Sequence, residues 1–484
     1  MGERLELKKS LIEPVYPQTE PNQPIDLGTV AVQFAHEGKT YQEMAQVTMR
    51  FMPADRLLFV IPAKNDSPQN AKHQPMMANQ IKALFFAFDL DDKWDGKLEL
   101  TDKGVTLNVF ERGSGGDFGT VAFVPRTSVV NVTPKSDAIS TATFHLFNFP
   151  KFYGPEDYTI TSGEPPQQGR KCCGRILLKA DGWITTIAAM DKTDDLCKAL
   201  DHQGGFVLTH MGKIEREDGS AFSSDQLDDL LHCMHCFLSF ALGRWTGLAF
   251  PIGFDQAGNR VFEQWGLPLT APGPWNGTCS WFDALHAEFL SETFPGFMAL
   301  WKDDKWHSTL WKAVYWYLVA NGRSGGVSHI DAGIILAQTA LELLAWTYCV
   351  EQRKMVSAGA FEKALPAADK VRLLASGLEI PLELSAHLST LQSALLAQTG
   401  SKWHDAMDAI TQIRNGLVHP RVKTQLADGS YCEVWKLSMW YLDMVLLRLC
   451  GHTGKYANRL DTRRWVGQVE SVPWAKKESG KAGE

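Results

Sequence analysis

Arg414, Asn415 and His419 stand within the run IRNGLVHP. Together these residue types can break a phosphodiester. An imidazole titrates near neutral pH, so His419 can move the proton of a ribose 2′-hydroxyl or of a leaving oxygen. A guanidinium can hold a phosphate through two parallel hydrogen bonds and stabilise the charge that builds on it. The amide of Asn415 can orient either partner. RNA carries its own nucleophile, so no side chain has to supply one.

The spacing says where these residues must sit. Met407, Ile410, Ile413 and Leu417 fall three and four apart and predict a helical apolar stripe over 403–418. Asn415 and His419 are four apart and share a face of that helix. Arg414 lies five residues before His419, about 140° around an ideal helix. Pro420 disfavours helical backbone at His419, so the motif is expected at a helix C-terminus, where the dipole favours cations. An Arg and a His at such a distance are by themselves a common coincidence. Arg323 and His329 form a second pair, in a glycine-rich loop between helices. Asn directly after Arg, the apolar run and His before Pro set 414–419 apart.

The surrounding chain reads as α+β and multidomain, a β-rich N-terminal sandwich or barrel followed by an all-α bundle. Residues 1–24 are polar and proline-rich and read as a flexible tail. Over 25–215, short apolar or alternating runs such as TVAVQFA, DRLLFVI, KALFFAFDL and TATFHLFNF are separated by turn residues, the pattern of an all-β domain. Asp102-Lys103-Gly104 and Ala180-Asp181-Gly182 read as hairpin turns. Residues 216–300 read as a connecting α/β segment packed on the β domain, with Ser223-Ser224-Asp225-Gln226 as the cap of a helix and strands near 247–254 and 260–265. Residues 301–455 read as a bundle of helices with short links, and 456–484 as a basic, disordered tail.

IRNGLVHP resembles the R-N-x-x-x-H form of the HEPN domain, a helical bundle found in toxins and anti-phage effectors. The resemblance covers about residues 300–455. A β-rich region ahead of such a bundle resembles the ApeA-like abortive-infection proteins in architecture. The resemblance implies a metal-independent endoribonuclease without cofactor. It implies Arg414 and His419 as the catalytic pair and Asn415 as polar support. It implies a homodimer formed through the bundle, and the β-rich domain would answer to a protein trigger. Glu342 would correspond to an acidic residue near the site in some members. Arg421, Lys455, Arg459, Arg463 and Arg464 are candidates to contact RNA. They belong to a stretch, 411–465, that holds nine Lys/Arg against four acids in a chain of net charge −7. The alternative is a non-catalytic scaffold that dimerises, binds nucleotide or holds a protein. There Arg414 would pair with Asp405, Asp408 or Glu342, and His419 would only cap its helix.

Composition is that of a globular protein, 44% hydrophobic and 21% charged over 484 residues. The apolar stretch 334–350 contains Gln338 and Glu342 and suits a bundle core rather than lipid, so no membrane partner is expected. Nine scattered cysteines suit reduced thiols in the cytoplasm. Cys233 and Cys236 have the CxxC step but no second pair of ligands, so they are expected in a core and no metal is expected. Gly113–Gly119 has the wrong spacing for a dinucleotide loop.

Overall fold

The computed structural model describes residues 12–475 except 37–38, 52–55, 62–94, 112–120, 128, 155–157, 161–166, 170–171, 271, 276, 278, 323–327, 398–402, 420–426, 428 and 462. The expected strand KALFFAFDL, the loop Gly113–Gly119 and Arg323 lie outside the described residues. The chain folds into two compact units. The first comprises Met1–Phe149, Ala188–Asp228 and Gly247–Trp275, and the second Pro150–Ile187, Asp229–Thr246 and Asn276–Glu484.

The first unit opens with a closed antiparallel barrel. Its strands are β1 (Ile25–His36), β2 (Lys39–Arg50), β3 (Arg56–Ile61), β4 (Asp95–Leu100), β5 (Val105–Glu111) and β6 (Val121–Pro125). Their order is β1-β2-β3-β6-β5-β4. The alternation in β3 places Leu57, Phe59 and Ile61 inside, as a two-residue period requires. Asp102-Lys103-Gly104 turns the chain from β4 to β5, with Gly104 at φ 65.

Five neighbouring strands of a seven-stranded sheet follow in this unit, in the order 208–216, 141–147, 247–254, 260–266, 129–131. Helix α1 (Thr193–Gln203) precedes its first strand. The barrel and the sheet share one apolar core, in which Phe59 of β3 meets Trp265 at 6.2 Å. The expected domain edge at 215 therefore does not hold. Gly247–Phe254 pairs with Thr141–Phe147 in the middle of the sheet, a non-local pairing that local periodicity does not encode. The strands expected within 216–300 thus belong to the β-rich unit.

Residues 12–24 are also packed rather than loose. Tyr16 is 6% exposed, with its ring 5.4 Å from that of Phe250, and its hydroxyl donates to Glu263. Trp265 Nε1 donates to the same carboxylate at 3.0 Å, and the backbone N–H of Tyr16 donates to His145 Nε2 at 3.3 Å. Gln18 accepts from the N–H of Leu208 at 2.9 Å.

Helix α2 (Ser224–Leu242) starts at a reciprocal cap. Gln226 N–H donates to Ser223 Oγ, and Ser223 N–H donates to Gln226 Oε1. Cys233 and Cys236 on this helix are fully buried free thiols, both pushed up by burial.

In the second unit, Ala180-Asp181-Gly182 joins the strands Arg175–Ala180 and Trp183–Ala189, with φ 51 and 73 at Asp181 and Gly182, as a primed hairpin turn requires. The bundle follows. Its helices are α3 (Glu288–Lys302), α4 (His307–Asn321), α5 (Ser328–Trp346), α6 (Ala358–Lys363), α7 (Ala367–Gly377), α8 (Ser389–Ala397), α9 (Ala406–Val418) and α10 (Ser430–Leu449). A π-turn, Thr347–Gln352, continues α5. By length and composition, Ile330–Gln352 is apolar enough to cross a membrane, but it packs between α4 and α10 as a core element.

The segment after 455 is packed as far as residue 475. Lys455–Tyr456 pairs with Glu470–Ser471, Trp474 is fully buried, and its Nε1 donates to the carbonyl of His452 at 2.7 Å. The basic tail expected over 456–484 is thus a folded strap over 456–475, and 476–484 lie outside the described residues.

Candidate active site

Helix α9 begins at Asp405, whose backbone is extended and whose carboxylate accepts from Met407 N–H at 3.0 Å and Asp408 N–H at 3.1 Å. Ala406, Met407, Ala409, Ile410 and Ile413 are buried against α5, α7 and α10. Leu417 is only half-buried, so the stripe thins towards the C-terminus.

The motif occupies the last turn. Arg414 and Asn415 are half-buried and His419 is exposed. Arg414 Nη1 donates to Asn415 Oδ1 at 3.3 Å, while Arg414 Nε is buried with no hydrogen-bond partner among the described residues. His419 is the C-cap. Its backbone is extended, φ −118 and ψ 103, as a residue before proline prefers, and its N–H donates to the carbonyl of Asn415 at 2.9 Å. Asn415 therefore touches both partners, Arg414 through its side chain and His419 through its main chain. Pro420 and Arg421 lie outside the described residues.

The three acids open to Arg414 are engaged elsewhere. Arg372 on α7 binds Asp405 through Nε at 2.6 Å and Nη2 at 3.0 Å, and Asp408 through Nη2 at 2.9 Å, and it also pairs with Asp369. Burial pushes the Asp405 carboxyl up, but the hydrogen bonds and charge of Arg372 more than offset this and hold it below its usual value. Glu342 accepts from Gln338 Nε2 at 2.9 Å within α5. The ion pair that the scaffold alternative requires of Arg414 is absent among the described residues. Arg372 itself was invisible as a site residue in the sequence. Its (i, i+3) step from Asp369 is local, but its partners on α9 are not.

Of the outer cations, Arg459 is a correction. It is 3% exposed, and its Nε donates to Asp443 at 2.5 Å, with further bonds from its Nη1 to Asn321 Oδ1 at 3.0 Å and from its Nη2 to Tyr317 OH at 2.8 Å. Burial alone would lower its affinity for a proton. Asp443 more than offsets that, so the guanidinium stays charged and is fully occupied inside the bundle. It is not free to meet RNA. Lys455 and Arg463 are exposed, and half-buried Arg464 donates to the carbonyl of Ser280 at 3.2 Å. His329 opens α5. Among the described residues, no group of three His, Cys, Asp or Glu is placed to hold a metal ion.

Residues 134–276 match the YopA central domain and residues 303–471 match the YopA C-terminal domain. The SPbeta prophage-derived uncharacterized protein YopA of Bacillus subtilis (strain 168) is 27% identical over 310 residues, 63% of this chain and 67% of that protein. No solved structure matches the chain. The second domain match ends at residue 471, past the edge expected at 455, and takes in most of the strap that the structure packs onto the bundle. By these matches the chain is similar to YopA in two successive domains, the central and the C-terminal.

Proposed function

We propose that the helical part is a metal-independent endoribonuclease of the HEPN type. The observation that carries the reading is Arg414. It is half-buried beside Asn415, one of its nitrogens is buried with no partner among the described residues, and Asp405 and Asp408 are already bound by Arg372. A guanidinium with open donors is what a phosphate needs. His419 sits exposed at the end of the same turn.

In this reading the 2′-oxygen of RNA attacks phosphorus and the bond to the 5′-oxygen breaks. The 2′-hydroxyl gives up a proton and the 5′-oxygen gains one, leaving a 2′,3′-cyclic phosphate and a 5′-hydroxyl. Arg414 stabilises the negative charge on the non-bridging phosphoryl oxygens and His419 moves a proton. A single imidazole does not serve both ends at once, so two copies of the chain facing each other through the bundle supply base and acid together. The β-rich part would control the cut by binding a protein trigger. The prophage origin of the Bacillus relative fits a toxin or anti-phage effector acting in the cytoplasm. The test is cleavage of transfer and messenger RNA in chelator by the full chain and by His419→Ala. Cleavage that depends on His419 supports the reading, and equal cleavage by both chains removes it.

A further inference from the structure

The strap over 455–471 closes on itself and holds a tryptophan out in solvent. Its ends pair as a short antiparallel ribbon, Lys455 opposite Ser471 and Tyr456 opposite Glu470. Inside it, the Asp461 carboxylate accepts from Arg463 N–H at 3.0 Å and from Gln468 Nε2 at 2.7 Å. Gln468 N–H donates to the carbonyl of Trp465 at 3.1 Å, and Gly467 N–H donates to Asp283 at 2.8 Å. Arg464 is tied to the carbonyl of Ser280. The backbone on both sides of Trp465 is thus held, yet Trp465 is 77% exposed and Val466 beside it is 65% exposed. Holding a large aromatic residue in water gains nothing for folding, because it buries little apolar area.

The charges around the ring are as particular. The strap's acids are turned to internal work, Asp461 as above and Glu470 accepting from Tyr456 OH and Asn458 Nδ2. Arg463 is exposed two residues before the ring, and Lys455 is exposed at the base of the ribbon.

We infer that Trp465 is a stacking platform for a base of single-stranded RNA, with Arg463 on the adjoining phosphate. Every base has a face to stack, so one exposed ring on a held backbone and a neighbouring cation give contact without sequence preference. An anionic membrane is the weaker fit. Electrostatic membrane attachment draws on a cluster of about four to eight cations, whereas here the apex carries Arg463 and an Arg464 already held by Ser280. This inference deepens the ribonuclease reading and rests on it for the choice of RNA.

The test uses the full chain carrying His419→Ala, so that cleavage does not interfere, and a fluorescein-labelled single-stranded oligouridine about twelve nucleotides long. Adding Trp465→Ala should weaken binding about tenfold or more, and Trp465→Phe should keep most of it. Adding Arg463→Ala should reduce the slope of log affinity against log salt by about one. Thermal unfolding of the Trp465→Ala chain should match its parent, since the ring is in water. The inference is overturned if the parent does not bind the oligonucleotide or if Trp465→Ala binds equally well. Trp465-dependent binding to phosphatidylserine vesicles without RNA binding would also overturn it. The ribonuclease reading fails separately. A chain that binds RNA through Trp465 while the wild type cuts none loses that reading and keeps this one. A chain that cuts normally but ignores Trp465→Ala loses only this one.

Discussion

Asn415 accepts a hydrogen bond from Arg414 through its side chain and one from the His419 main chain through its carbonyl, so one residue joins the two that the proposed chemistry needs. Replacing Asn415 by Ala removes the first contact and leaves the second. Cleavage should fall by about tenfold, less than for Arg414→Ala, because one neutral hydrogen bond to a charged group is lost and not the charge itself. Single-turnover rates on one RNA, with circular dichroism to check the helix, measure this.

Arg372 ties α7 to the start of the motif's helix through Asp405 and Asp408. Arg372→Met should cost about 1–3 kcal/mol, since two partly buried carboxylates lose a charged donor. The depressed Asp405 pKa adds a sign. Its contribution is complete above the usual carboxylate pKa and is lost as pH falls through the lower value in the folded chain. In Arg372→Met the folded pKa moves back towards the usual value, so that acid-side loss should shrink, as urea titrations between neutral and acid pH would read out.

Arg459 and Asp443 are both buried, so breaking the pair is expensive. Arg459→Met should destabilise the bundle by about 3–5 kcal/mol, because Asp443 is left buried without its cationic partner, with Tyr317 as a remaining donor. Adding Asp443→Leu should recover most of the loss. If Arg459 were instead an RNA contact, its replacement would weaken RNA binding without moving the unfolding midpoint.

Gly296 on α3 lies against the backbone after α10. A Cβ there would come 1.7 Å from the carbonyl oxygen of Cys450. Gly296→Ala should therefore cost about 1–3 kcal/mol even though alanine favours helices, because neither backbone gives way easily. Chemical denaturation is sufficient to see it.

His145 is fully buried, and burial pushes its imidazole down to about 3. The unfolded chain takes up that proton near pH 6.5 and the folded chain does not. The stability due to this residue is thus complete above about pH 6.5 and lost as pH falls towards 3, by about 1.4 kcal/mol per unit. His145→Leu should lower the slope of stability against pH by up to that amount within the window, whatever its effect on stability at pH 7.

What the sequence made legible was local. The reciprocal cap of Ser223 with Gln226, the hairpin at Asp181-Gly182 and the end of α9 at His419 are written in neighbouring residues, and the structure has all three. Arg459 looked like one more cation in a basic run, because its partner Asp443 lies 16 residues earlier, inside α10. Tyr16 looked like part of a loose end, because Glu263 is 247 residues distant. The edge at 215 failed for the same reason, since the pairing of Gly247–Phe254 with Thr141–Phe147 leaves no mark on either run alone. The position of Arg414, Asn415 and His419 on α9 was legible, whereas the engagement of Asp405 and Asp408 by Arg372 was not.

The most direct measurement is the chemistry of the cut ends left by the full chain in chelator, compared with Arg414→Ala and His419→Ala. The account predicts fragments ending in 2′,3′-cyclic phosphate and 5′-hydroxyl, formed about 10²- to 10⁴-fold more slowly by His419→Ala. Fragments ending in 3′-hydroxyl, or the same rate in all three chains, would contradict it.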